Sequence, residues 1–467
     1  MTFSRRHAHI PTMSLAHEVY LFLLQVLGST MSLLLDILAA LQRMQDALRE
    51  EEERRQAREV AERRARPRPR RVWARPWLLR RPMLGLHEQL LQELNREDTK
   101  TFKNYLRMTP ELFHEMVERV APFLQKKETI MRKPIPVPLK LAVTLRFLAS
   151  GCKYVDLTFA YRVSLSAISR FVPLVCAAIV HVYKDEVLIL PKTPHEWEDV
   201  ANEFSRKWNY HNCIGSLDGT HIPIRKPRGG GSVYFNYKKF HSIILLALVD
   251  ANYRFLYVNI GNPGGAGDAN TWNRCSLYQS IRDGRAGLPD PQPMPGDDED
   301  IPYHIVADDA FALDEHLMKP YANLGQSRSQ RIYSYRVSRA RRIVENAFGL
   351  LQLRFRVFTN SMFVHPRKVR KIVHCGVVLH NLLLERMPLM RHGGREVDHE
   401  SPDHENVIPG EWREAGDFHM LQGLAPTQQR NPTNRAKAMR NYLAEYYTSA
   451  VGAVPWQERI VYPLARL

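Results

Sequence analysis

Residues 215–224 read GSLDGTHIPI. The run is apolar and β-prone, and it sets one carboxylate, Asp218, inside a predicted strand near the middle of the chain. Two later stretches are suited to meet it: VADDAF around Asp308, and RRIVENAFG around Glu345. Asp308 ends the apolar run Tyr303–Ala307. Glu345 falls mid-helix, beside the apolar stripe of Ile343, Ala347 and Leu350. Three carboxylates brought to one point would repel, and at least one would stay protonated. A hard divalent cation, Mg²⁺ or Mn²⁺, resolves that crowding, because both prefer oxygen ligands. Two such ions about 3.5–4 Å apart serve phosphodiester hydrolysis, one activating water and one stabilising the leaving oxygen. Each acid also has a plainer reading. Asp218-Gly219 is a hairpin signal, Asp308 or Asp309 would cap a helix, and Glu345 would pair with Arg341 one turn earlier.

Working outward, CIGSLDGTHIPI, SIILLALVD and RFLYVNIG form three β-rich runs, the last two joined by a tight turn at Asp250–Tyr253. A glycine-rich loop, Gly261–Gly267, precedes Asp268, which opens a helix. A proline- and acid-rich excursion, Pro289–Pro302, is expected as an exposed loop inserted near residues 288–302. The strand ending at Asp308 follows, then helices over Val337–Phe355 and Arg367–Arg386. The order β, β, β, α, β, α, α predicts an α/β layered fold over residues 201–386.

Residues 73–200 read as helices. Thr109-Pro110-Glu111 is a helix start. Leu139–Ala149 is expected to be amphipathic, Gly151 breaks the chain, and Tyr154–Tyr161 and Ser164–Val182 follow. That layout suits a helix-turn-helix unit with Ser164 as cap and Ser166, Ser169 and Arg170 facing DNA. A plain bundle with solvated polar residues is the alternative. Residues 1–72 hold an uncharged run, Val19–Leu35, then a mixed-charge helix over Leu41–Arg64. The run is at the lower length limit for a membrane span and is diluted by Gln25, Ser29, Thr30 and Ser32. No membrane association is expected, and a helix for packing or self-association, giving a homo-oligomer, fits better. Arg66–Arg71 alternates Arg with Pro, readable as a nuclear-import signal or as a solubilising linker. Residues 387–467 are expected as a polar, poorly ordered tail with one short helix near Asn434–Tyr447.

The chain has 467 residues, 66 Lys+Arg and 49 Asp+Glu, a surplus of +17. A surplus of that size favours a polyanionic partner, nucleic acid before membrane. Five widely spaced cysteines, an odd number with no CxxC, argue against a secreted disulfide framework and for a reducing compartment.

GSLDGTHIPI, PGGAGDANTW, VADDAFALDEHLMKPY and SRARRIVENAFGLLQLRF, in that order, resemble the Harbinger/PIF-type DDE transposases and the domesticated nuclease derived from them. The resemblance runs from about Trp73 to Arg386. LRFLASG and VSLSAISRFV look like that family's helix-turn-helix portion. The resemblance implies an RNase H-like catalytic core behind an all-helical domain. It also implies a metal-dependent DNA endonuclease whose triad falls on Asp218, Asp308 and Glu345. Asp268 matches an auxiliary acidic position, and Asp309 competes with Asp308 as the ligand. A basic surface including Arg341, Arg342 and Arg354 would hold the DNA backbone. The family's Leu-Lys-x-Arg-Phe ending is here Leu351-Gln352-Leu353-Arg354-Phe355, so one cation is missing. The resemblance further implies a nuclear location, with the cytoplasm as a second one, and a separate Myb-like DNA-binding partner. The rival reading is a DNA-binding or chromatin-associated adaptor whose triad is idle.

Overall fold

The computed structural model describes residues 15–65, 74–128, 133–322, 324–387, 395–401, 404, 406–414 and 432–462. Arg66–Arg71, the Arg/Pro linker, lies outside the described residues. The chain divides into two compact units, Met1–Arg75 and Pro76–Leu467. The described part of the first is one helix, α1 (Leu15–Ala65). It fuses the expected apolar and charged helices, since no proline interrupts the run.

In the second unit, α2 (Pro110–Leu124) starts as expected, with Thr109 Oγ1 accepting from the Leu112 amide at 3.4 Å and proline at the first position. The next helix, α3 (Val137–Ser150), differs from expectation. From Leu139 to Ala149 every residue but Arg146 is buried, so the helix is central and not amphipathic. Gly151 ends it at φ 65°, a left-handed conformation that costs glycine little. There follow α4 (Tyr154–Tyr161), a left-handed turn at Arg162, α5 (Leu165–Val187) and α6 (Pro194–Trp208). α5 is long and apolar enough to cross a membrane, yet half of its apolar window is buried within the protein.

A five-stranded sheet comes next, built from β1 (Cys213–Pro223), β2 (Ser242–Val249), β3 (Phe255–Pro263), β4 (His304–Ala307) and β5 (Leu317–Met318). The order across it is β3-β2-β1-β4-β5. β1, β2 and β3 form an antiparallel meander, while β4 and β5 run parallel to β1. α7 (Asp268–Asn273) follows β3. β2 shows why the fold is layered. Ile243, Leu245, Ala247 and Val249 enter one core; Ile244, Leu246 and Leu248 enter a second on the other face. A strand buried on both sides requires cover on both. The Pro289–Pro302 excursion is mostly exposed but not loose: Gln292–Pro293 pairs with Asp300–Ile301, and Met294 is buried.

α8 (Arg328–Arg354) begins nine residues before the expected Val337, because Ser327 and Gln330 form a capping box. α9 (Pro366–Arg386) packs along α5. The tail carries its one short helix where expected, and the described part of the tail packs on the fold. α10 (Asn434–Tyr446) buries Ala436, Met439 and Leu443 against α8, and Trp412 is buried as well. The expected segments 73–200, 201–386 and 387–467 differ in sequence character but share one hydrophobic core, which runs from Leu91 through the sheet to Tyr447.

Candidate active site

Strand register brings the first two acids together. Leu217 of β1 pairs with Ala307 of β4 in the parallel ladder. One residue further along each chain stand Asp218 and Asp308, close enough for the Asp308 charge to act on Asp218. β4 ends there while β1 continues, so the pair sits where the sheet opens. Ser216 Oγ donates to the Arg341 carbonyl at 3.2 Å, pinning α8 across β1 two residues before Asp218. That contact points the turn from Arg341 to Glu345 at the acids. A fourth carboxylate enters from α7. Asp268 is 2% exposed, and both of its oxygens are buried without a hydrogen-bond partner. Space for it exists because residue 219 is glycine: a Cβ there would meet the Asp268 carboxyl atoms at 2.3–2.7 Å.

Electrostatics follow from this crowding. Burial raises Asp218 well above the usual carboxylate range, and Asp308, Asp268 and Glu345 add to the rise while Arg341 opposes it. Burial likewise raises Asp308, against Arg341 and the Ala310 amide that donates to Oδ1 at 2.8 Å. Burial first, and Asp308 second, push Asp268 up to about 7, with Lys238 opposing. Burial alone would lower Arg341, but Glu345, Asp218 and Asp308 around it hold it raised. Arg341 bonds Glu345 at 2.6 Å, and Arg413 approaches Glu345 at 3.6 Å. The helical pair expected as the plain alternative therefore exists, and its cation also faces the two strand acids. Asp309 turns away, half-exposed and bonded to Lys319 at 2.8 Å. Of the two neighbours, Asp308 is the one that faces the cluster.

The expected basic surface needs correction. Arg341 faces the acids, Arg342 pairs with Glu400 at 3.4 Å, and Arg354 pairs with Glu396 at 3.6 Å, each with most of its side chain covered. α8 packs against both the sheet and the tail, so its arginines meet acids of this chain. Arg170 is exposed, with its Nε donating to the Ser166 carbonyl; Ser169 is half-buried and accepts from Lys368.

Sequence reading missed the rim of the site. The β1–β2 connection carries Arg225, Lys226 and Arg228 before Tyr237 and Lys238, and Arg225 and Lys226 are exposed. Tyr237 is 47% exposed, and burial together with Asp268, Asp218 and Asp308 raises its hydroxyl. Lys238 Nζ lies over the Tyr237 ring at 5.5 Å. The loop is anchored by Asn236 and His221, which meet Ser242 Oγ at 2.9 Å each. His221, pushed down to about 4 by burial and by Lys238, stays neutral and structural. The aromatics flanked by basic residues in RKPRGGGSVYFNYKK were the available signal. A groove of about 730 Å³ lined by Lys153, Tyr154, Leu165, Met362 and Phe363 contains none of the acids.

Among the described residues, no three acidic, imidazole or thiol groups are already set as a metal's ligands. The donor set nevertheless suits a hard divalent ion. All its atoms are carboxylate oxygens, and Asp268 holds two of them unpartnered.

Residues 217–381 match the family described as DDE superfamily endonuclease. The chain is 24% identical over 295 residues to an Arabidopsis thaliana protein named ALP1-like, covering 62% of this chain and 71% of that one. It is 23% identical over 301 residues to Antagonist of Like Heterochromatin Protein 1 of the same plant, covering 62% and 74%. It is also 23% identical over 266 residues to HARBI1 of Xenopus laevis, named as a nuclease, covering 56% and 71%. No solved structure matches the chain. Residues 217–381 are therefore similar to the DDE superfamily endonucleases, and the chain is similar to a protein named as a nuclease.

Proposed function

We propose that this protein is a divalent-metal-dependent DNA endonuclease of the Harbinger transposase type, working in the nucleus. The observation that carries the reading is the side-by-side placement of Asp218 and Asp308 with Glu345 facing them from α8. The sheet order, an antiparallel meander beside two parallel strands, supports an RNase H-like core. α4, the Arg162 turn and α5 support a helix-turn-helix unit, with Ser166 and Arg170 turned outward.

Asp218, Asp308 and Glu345, helped by Asp268, would hold Mg²⁺ or Mn²⁺. When bound, such ions lower the pKa of water and stabilise a leaving alkoxide. The chain's own residues do the rest. Asp218 and Asp308 fix the site on a rigid sheet; Arg341 screens them from each other while no other cation is present. Tyr237 and Lys238 border the acids with a ring for stacking and a charge for phosphate. In a supercoiled-plasmid assay, Asp218→Asn should abolish nicking in Mg²⁺ and Mn²⁺ while DNA affinity stays within a few-fold. Retained nicking refutes the assignment.

A second reading has one observation in its favour. Arg341 and Arg413 already pair with Glu345. That would suit an idle nuclease domain serving as a DNA- or chromatin-bound adaptor, a role the name of the second plant relative suggests for that protein. A Myb-like partner belongs to either reading. DNA binding without nicking in both metals, on several substrates, selects the adaptor.

A further inference from the structure

α1 carries an apolar seam that the described residues of its own unit leave uncovered. From Tyr20 to Leu48, alternating steps of four and three residues meet Leu, Leu, Met, Leu, Leu, Leu and Gln45 in turn. Every apolar member is 48–62% exposed. Seven-residue periodicity kept over four heptads is the spacing of a left-handed coiled coil, and a lone amphipathic helix does not require it. Past Leu48 the same positions read Glu52, Arg55 and Glu59, so the seam ends there. Arg43 and Glu50 mark the opposite side of the helix.

We propose that α1 pairs in parallel and in register with α1 of a second copy of this chain. The area suffices. At ~90 Å² of apolar surface per covered Leu-sized side chain, the eight apolar seam positions of two helices would bury on the order of 1,400 Å². That is the size of a stable protein–protein interface, about 1,200–2,000 Å². Gln45 selects the occupant and the register. Its amide carries both donors and an acceptor, so only Gln45 of an aligned, identical helix satisfies it within the seam. A shifted or antiparallel pairing sets that amide against leucine, leaving it unpartnered at a cost of ~1–3 kcal/mol. A single polar residue at such a position is a known register device. The seam lies wholly outside the endonuclease match at residues 217–381, so this pairing stands whether or not the nuclease reading does.

The test uses the full chain at low micromolar concentration, with mass measured by light scattering on a sizing column. The expected value is twice 54.2 kDa. Leu34→Glu combined with Leu38→Glu keeps good helix formers but charges the seam. It should return the monomer mass with unchanged far-ultraviolet helix signal, while Arg43→Glu, off the seam, should remain paired. Gln45→Cys should form a disulfide between copies under mild oxidation, reporting the parallel register directly. A monomeric natural chain overturns the proposal, including one that instead sediments with phosphatidylcholine–phosphatidylserine vesicles. So does pairing that survives the two glutamates, a mass of three or more chains, or a Gln45→Cys chain that stays unlinked while paired.

Discussion

Asp268 supplies the sharpest test of the site. Its carboxylate is buried, both oxygens lack partners, and its pKa is pushed up to about 7 from 3.8. The folded protein therefore holds this proton more tightly than the unfolded chain does. Below about pH 4 both states are protonated and the group is neutral to stability. As pH rises toward 7 the unfolded chain releases the proton first, and folding loses free energy until the folded carboxyl also ionises. At 1.36 kcal/mol per pH unit, a gap of about three units costs about 4 kcal/mol at pH 8. Asp268→Asn keeps the shape and removes the charge. In urea unfolding with EDTA at pH 8, the variant should be more stable than the natural protein by about 2–4 kcal/mol, and the difference should fade by pH 4. Mn²⁺ should narrow the gap. A ligand at a hundred times its Kd adds about 2.7 kcal/mol to the natural protein, and the variant should gain less. An Asp268→Asn variant that is less stable at pH 8 in EDTA, with no closing of the gap at low pH, refutes the picture of an unpaired, cation-seeking carboxylate.

Two further outcomes test the surroundings. Gly219→Ala places a methyl where the Asp268 carboxyl sits, 2.3 Å from its carbon; Mn²⁺-dependent stabilisation should fall at least tenfold in apparent affinity, read by thermal shift against metal concentration. Trp412→Ala removes the ring that lies 2.3 Å from the Cβ position of Gly349 and whose Nε1 donates to Asn346 Oδ1 at 2.9 Å. The loss should cost ~3–5 kcal/mol in urea unfolding, as for other buried tryptophans, and a cost under about 1 kcal/mol would mean that the tail does not brace α8.

Much of the sheet was legible because β-strand signals here are local. Unbroken apolar runs, a turn at Asp250–Tyr253 and glycines before Asp268 fix the meander without long-range information. The three acids were legible for a related reason: each sits at the end or edge of an apolar run, where a charge is out of place unless used. What could not be read is which partner each charge meets. Arg342 and Arg354 looked like DNA contacts because their acids, Glu400 and Glu396, lie more than forty residues away. The tail looked poorly ordered because its sequence is polar, and only the packed fold reveals that Trp412 and Tyr447 are buried. The early start of α8 was available in Ser327 and Gln330, a capping box three residues apart. The rim residues Tyr237 and Lys238 were equally available, but their importance depends on lying beside the acids.

Arg341 ties these observations together. A pocket that gathers Asp218, Asp268, Asp308 and Glu345 must acquire protons or positive charge. Here both occur: the strand acids are raised toward their neutral forms, and Arg341 lies among three of the four. Asp268 is the acid that the arginine serves least, since the cations influencing it reduce to Lys238 on the rim. A divalent ion entering the pocket gains most at Asp268 and must compete with Arg341 at Asp218 and Asp308. Since Arg341 keeps Glu345 one turn away at 2.6 Å, it has a partner to retain when it yields the strand acids. The nuclease and adaptor readings thus reduce to one competition between a tethered guanidinium and a free cation. Arg341→Gln, which removes the tethered competitor, should tighten Mn²⁺ binding measured calorimetrically if the site is built to take metal. It should leave binding undetectable if the carboxylates serve only to hold α8 against the sheet.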